Sequence, residues 1–105
     1  MKLKGKIKSN GIGKQAKDFN KEQVNYPITF NFKAMMDAHI DDDENKQSLA
    51  EAFNKFDIKH SYTDKKISSK GTYVSFTYKI TIVSKQIMNE FYAHLKTVNG
   101  LKFAL

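Results

Sequence analysis

The chain has no cysteine, no tryptophan, no arginine and a single proline. Without cysteine there is neither a disulfide framework nor a thiolate zinc site, and a reducing compartment, the cytoplasm, is the expected location. Without arginine the planar fork that clamps phosphates and reads guanine edges is missing. All 18 basic residues are lysine, whose attraction for polyanions is diffuse and carries no sequence specificity. Long apolar runs are missing too. The opening MKLKGKIKSN is positive, but no hydrophobic stretch follows it, so neither a secretory signal nor a membrane span is expected.

What is present is a chain of 105 residues, 40% hydrophobic, with 8 phenylalanines and 5 tyrosines, enough for one domain with a modest core. The formal charge of +7 is unevenly spread. Residues 1–25 hold seven lysines against Asp18 and Glu22, while residues 26–105 hold eleven against nine acids, so the body is close to balance. Residues 1–25 also have too few large apolar groups to offset the entropy of ordering, and a flexible arm is expected there. Leu3, Gly5 and Ile7 alternate with lysines in a strand-like period, which leaves an added edge strand open. Gly11-Ile12-Gly13-Lys14-Gln15-Ala16 has the letters of a dinucleotide fingerprint. That chemistry needs a buried strand before it and a helix after it, to aim backbone N–H groups at a pyrophosphate, whereas here a lysine-rich segment precedes it and polar residues follow.

Order is expected from Tyr26. In YPITFNFK, Tyr26, Ile28, Phe30 and Phe32 share one face, with Thr29, Asn31 and Lys33 on the other, and Pro27 stands at the strand start, where a missing N–H is tolerated. Met35 and Met36 follow, read as filling gaps at the edge of the core. Asp41 to Glu44 then precede Leu49, Ala52, Phe53 and Phe56 at helical spacing, and acids at that end suit the helix dipole. Ile58 to Ile67 reads as a charged edge strand with Ile58, His60 and Tyr62 on one side. A turn at Ser68-Ser69-Lys70-Gly71 leads into the most regular strand, with Val74, Phe76, Tyr78, Ile80 and Ile82 on the core face. Tyr73, Ser75, Thr77, Lys79 and Thr81 fall on the wet one. Ser84 is placed as the N-cap of a second helix carrying Ile87, Met88, Phe91, Leu95 and Val98. Asn99-Gly100 should stop that helix, and Leu101, Phe103 and Leu105 are expected to point inward from a last strand. The order strand, helix, strand, strand, helix, strand predicts an α+β, ferredoxin-like βαββαβ fold: a four-stranded antiparallel sheet with both helices on one face.

Ser68 to Tyr78 invites comparison with the central strand of an RNA-recognition motif, K/R-G-F/Y-G/A-F-V-x-F/Y. Lys70 and Gly71 match, but Thr72 and Val74 stand where the two leading aromatics belong, and the register sends Phe76 and Tyr78 into the core. A structural strand is the better reading. Asp41-Asp42-Asp43-Glu44 lacks the glycine and the distal acid of a calcium loop. His39, His60 and His94 have no ligand-like spacing, and no serine sits in a G-x-S-x-G elbow. No catalytic residue, metal or cofactor is expected.

From Tyr26 onward the chain resembles the YbeD-like family of small bacterial proteins, through YPITFNFKAM, SSKGTYVS, the pattern of the second helix and the terminal FAL. The resemblance implies a ferredoxin-like sheet similar to the ACT regulatory domain. It carries over no catalytic residue, and it says nothing of the lysine-rich arm. The expected function is therefore a non-enzymatic regulatory or interaction module. Its expected binding face is Lys33, Tyr73, Ser75, Thr77 and Lys79, with Lys70 at the turn, where lysines attract and hydroxyls orient a small anionic metabolite or a protein partner. A small core without a staple makes a homodimer the expected assembly. The alternative is weak, salt-sensitive nucleic-acid binding through the arm.

Overall fold

A computed structural model of the protein describes residues 24–105. The elements are β1 (Ile28–Asp37), α1 (Asp42–Lys55), β2 (Lys59–Ile67), β3 (Tyr73–Ile82), α2 (Lys85–Leu95) and β4 (Leu101–Ala104). They build an antiparallel sheet of order β2-β3-β1-β4, the expected βαββαβ architecture, with β1 and β3 at its centre. The expectations for the arm, including the added strand and the Gly11–Ala16 fingerprint, lie outside the described residues apart from Val24 and Asn25.

β1 runs further than the alternation in YPITFNFK implied, pairing with β3 from Ile28↔Ile82 to Asp37↔Tyr73 without a break. The methionines therefore lie within the strand rather than after it: Met36 is fully buried beside Phe32 and Ala34, and Met35 is on the opposite face. At the exit from β1, Asn45 is buried, and its Nδ2 donates to the carbonyls of Asp37 (3.0 Å) and Ile40 (3.4 Å). This clip ties the start of α1 to the exit of β1, joining the Ile40 N–H as a second donor to the Asp37 carbonyl and supplying one to the Ile40 carbonyl.

The helices start where their caps stand. The Asp41 carboxylate accepts from the Asp43 N–H at 3.2 Å, and Asp42, Asp43 and Glu44 occupy the first turn of α1. The Ser84 hydroxyl accepts from the Ile87 N–H at 3.2 Å. Helix α2 ends earlier than its apolar stripe implied. Val98 lies beyond it, packed on the core's edge, and Gly100 (φ +83°) turns the chain into β4.

Both helices cover one face of the sheet. Phe32, Phe53, Phe76 and Phe91 are fully buried between the layers. Phe53 meets Phe32 edge-on at 5.7 Å and Phe91 in a stacked arrangement at 5.7 Å, so α1, α2 and the sheet converge on one ring. Such pairs add stability beyond the area they bury.

Two edge strands depart from simple alternation. On β2 the register shifts between Tyr62 and Asp64, so Thr63 is an extra residue, and Lys65 and Ile67 take the helix side thereafter. Lys65 there reaches the Asp42 carboxylate of α1 at 2.6 Å. On β4, Met36 pairs with Leu101 and Met35 with Phe103, which leaves Lys102 as the bulged residue. The expectation that Leu101, Phe103 and Leu105 share the core face is thus corrected. Only Leu101 keeps it; Ala104 is the buried residue of the strand's end, while Phe103 and Leu105 lie opposite Met35 and Lys33 on the other side.

Candidate functional site

The sheet surface away from the helices is built row by row from the strand register. One row reads Lys66, Ser75, Met35, Phe103, and the next reads Asp64, Thr77, Lys33, followed by Leu105, whose backbone exchanges hydrogen bonds with Lys33 at 3.2 and 2.8 Å. Beyond them come Ser61, Lys79 and Asn31 on one side, and Tyr73 opposite Asp37 on the other. At the far end the Thr29 and Thr81 hydroxyls meet at 2.8 Å.

All the strand residues expected to form a binding face, Lys33, Tyr73, Ser75, Thr77 and Lys79, are therefore brought onto one surface. Lys70 is not on these strands, being part of the turn that leads into β3. That turn is held by the Ser68 hydroxyl, which accepts from the Tyr73 N–H at 3.1 Å, and by Gly71 at φ +75°. The apolar residues of the face, Met35, Phe103 and Leu105, escaped the sequence reading, as did Asp37, Ser61, Asp64 and Lys66. Tyr73 is 39% exposed and Phe103 40%, so the face carries aromatic surface on β3 and on β4, with Met35 between. Unbroken alternation through residue 36 could have placed Met35. Phe103 and Leu105 depend on the Lys102 bulge, which has no sequence signal of its own.

Asp37 closes this face. It accepts from the His39 N–H at 2.8 Å and lies 3.1 Å from the His39 ring Nδ1. The backbone hydrogen bond first, then the ring contact, hold its carboxyl below the usual range, with the positive charge of Lys102 assisting. The Asp41–Glu44 run serves as a helix start, and among the described residues no three His, Asp or Glu side chains converge as a metal set. Val74, Phe76 and Tyr78 are buried, so the β3 aromatics that an RNA-recognition motif would offer to bases are spent on the core.

A groove of about 530 Å³ lies between α2 and β4. Tyr92 lines it, with its ring against Phe32 and Phe91 and its hydroxyl buried with no hydrogen-bond partner among the described residues. Burial alone pushes this phenol well above its ordinary range. A buried hydroxyl without a partner costs about 1–3 kcal/mol, so Tyr92→Phe should leave stability unchanged or raise it by about 1 kcal/mol in urea unfolding. The wild-type chain should also lose stability as pH rises past about 10, where the unfolded phenol ionises and the folded one resists, and the Phe variant should lose less.

These features can be set beside known proteins. A family model described as a protein of unknown function, DUF493, matches residues 21–105. The chain belongs to the DUF493 family. A UPF0250 protein of Shewanella halifaxensis is 34% identical over 85 residues, covering 80% of this chain and 92% of the relative. A UPF0250 protein of Shewanella amazonensis is 31% identical over 88 residues, with the same coverage. The YbeD-like resemblance is borne out by these relatives. The solution structure of protein HP0495 from H. pylori superposes with a TM-score of 0.59 over 84% of this chain and 91% of that one, at 16% identity. That likeness shows the same small fold. DUF493 and UPF0250 are uncharacterised groups, and neither name speaks of a ligand, partner or reaction. Among the described residues no helix is long and apolar enough to cross a membrane.

Proposed function

We propose that this DUF493 protein is a non-enzymatic interaction module whose open sheet face docks an acidic protein partner. The observation that carries the reading is the placement of Phe103 and Leu105 by the β4 bulge beside Met35, on the face that also holds Tyr73, Lys33, Lys66 and Lys79. A strip of aromatic and aliphatic groups bordered by cations has the composition of an interface core and its rim. The lysines speed encounter with an acidic surface, and the apolar strip supplies the buried contact. A pleated face with side chains standing off in rows suits a macromolecule better than a small metabolite, which needs concave walls around it. None of Lys33, Tyr73, Ser75, Thr77 and Lys79 lines the groove between α2 and β4. A second copy of the chain is a weaker fit, because Lys33, Lys66 and Lys79 outnumber Asp37 and Asp64 on the face, and two copies would set net positive charge against net positive charge.

Photo-crosslinking from the full chain in its own cell tests this. A crosslinker at Ser75 or Thr77 should capture one discrete protein, and one at Glu51, on the exposed side of α1, should not. The pair Lys33→Glu and Lys79→Glu should cut the yield by about tenfold or more, the scale set by like-charge juxtaposition. Equal capture from Glu51, or a yield indifferent to the charge reversals, would remove the reading. Thermal stabilisation by a small carboxylate or phosphate that requires Lys33 would replace the protein partner with a metabolite.

A further inference from the structure

Apart from the open face, the described residues present a strand edge that none of them pairs, beside an apolar wall. Among the described residues β4 ends the sheet, so its outer side faces no strand. Leu105 turns its N–H and C=O toward Lys33, and antiparallel alternation then turns those of Ala104 outward. Directly over that edge lies the groove of about 530 Å³, within the range of ligand-holding clefts. Its walls include Met88 and Tyr92 from α2 and Leu101 and Ala104 from β4, and the small, exposed Ala93 also lines it. A helix flanking an open strand edge offers what an added strand needs: main-chain groups for pairing, and a trough that receives alternate side chains.

Charge decides what fits. The charged residues lining the groove are Lys96 and Lys102, and no acid lines it. Lys102 is also close enough to act on Asp37, so Lys96 is the less engaged of the two. The chain's own Lys2–Lys8 stretch has the required alternation in Leu3, Gly5 and Ile7, but it would bring four lysines to a positive rim. An extended segment with acids alternating with apolar residues meets both demands.

We propose that the groove between α2 and β4 is a second docking site, which takes an extended acidic and apolar peptide segment of a partner protein as a fifth strand beside β4. The site shares only Phe103 with the open face, and neither proposal depends on the other.

The experiment is selection of a displayed random seven-residue peptide library on the full chain, followed by amide NMR titration with the enriched peptides. Enriched sequences should alternate Asp or Glu with apolar residues, and their binding should shift Ala104, Asn89 and Ala93 rather than Ser75 and Thr77. N-methylation of the peptide's central residue should abolish binding, because the lost N–H is the pairing donor. Ala93→Trp fills the groove and should abolish binding with thermal stability retained. Lys96→Glu, which leaves the groove's shape intact, should weaken binding by about tenfold. The proposal is overturned by enrichment of basic sequences, by no enrichment, or by peptides that ignore both variants or map to the open face. Concentration-dependent shifts of Ala104 without peptide would overturn it in favour of a second copy.

Discussion

Phe53→Ala should lower the unfolding free energy by about 3–5 kcal/mol, the range for a large aromatic removed from a core that cannot fully collapse. Phe53 is fully buried, and its ring meets Phe32, Tyr78 and Phe91 at centroid distances of 5.7, 5.1 and 5.7 Å, with His60 stacked on it at 4.6 Å. Those neighbours come from β1, β3, α2 and β2, so no single element can move in to fill the space. A domain of this size has a total stability of about 5–15 kcal/mol, so the variant should stand near the edge of folding at ordinary temperature. Urea unfolding should show a lower midpoint with an unchanged slope. A loss under about 1.5 kcal/mol would mean that the aromatic cluster repacks and is not the rigid junction described above.

Gly100→Ala should cost about 2–4 kcal/mol, for two separable reasons. The residue sits at φ +83°, where a side chain costs roughly 1–2 kcal/mol. An added Cβ would also lie 2.7 Å from Ile40 Cδ1, the end of a side chain that can turn aside, and 3.2 Å from Asn45 Oδ1, whose amide is fixed by two hydrogen bonds, a crowding in the lower part of the usual range of about 1–3 kcal/mol. Gly71 provides the control: its φ is +75°, but a Cβ there meets nothing within 4 Å. Gly71→Ala should therefore show the backbone part alone, and the difference between the two variants measures the steric part. The Gly100 carbonyl accepts from the Asp37 N–H at 2.8 Å, so displacing it should loosen β4. Hydrogen exchange at the Leu105 amide should quicken in Gly100→Ala and stay unchanged in Gly71→Ala. Equal costs at the two glycines would refute the steric argument.

Loosening β4 would also test how the candidate face is assembled. Lys33, Tyr73, Ser75, Thr77 and Lys79 were readable from β1 and β3 because central strands obey strict alternation: a one-residue slip would bury lysines and expose phenylalanines. The Ser84 cap was readable because it acts on a backbone N–H three residues away, whereas Asp41 was read only as one of the acids at the start of α1, where it caps the Asp43 N–H. The length of β1 was less so, since the run Ala34-Met35-Met36 suits a strand or a loop alike, and pairing with β3 decided it.

By itself, then, the amino-acid sequence determined the order of elements, the two central strands and their faces, the helix starts, and the burial of Val74, Phe76 and Tyr78, which turns those side chains of β3 away from the open face. Each of these is a local matter of period, cap or turn. Only the tertiary structure decided that Phe103 and Leu105 join Met35 on the open face, and that a groove opens between α2 and β4. A bulge is a mismatch in residue count between two strands. Lys102 becomes the extra residue only when β4 is held at one end by the turn at Gly100 and at the other by Leu105 against Lys33. Those constraints come from parts of the chain some 70 residues apart in sequence, and no local pattern contains them.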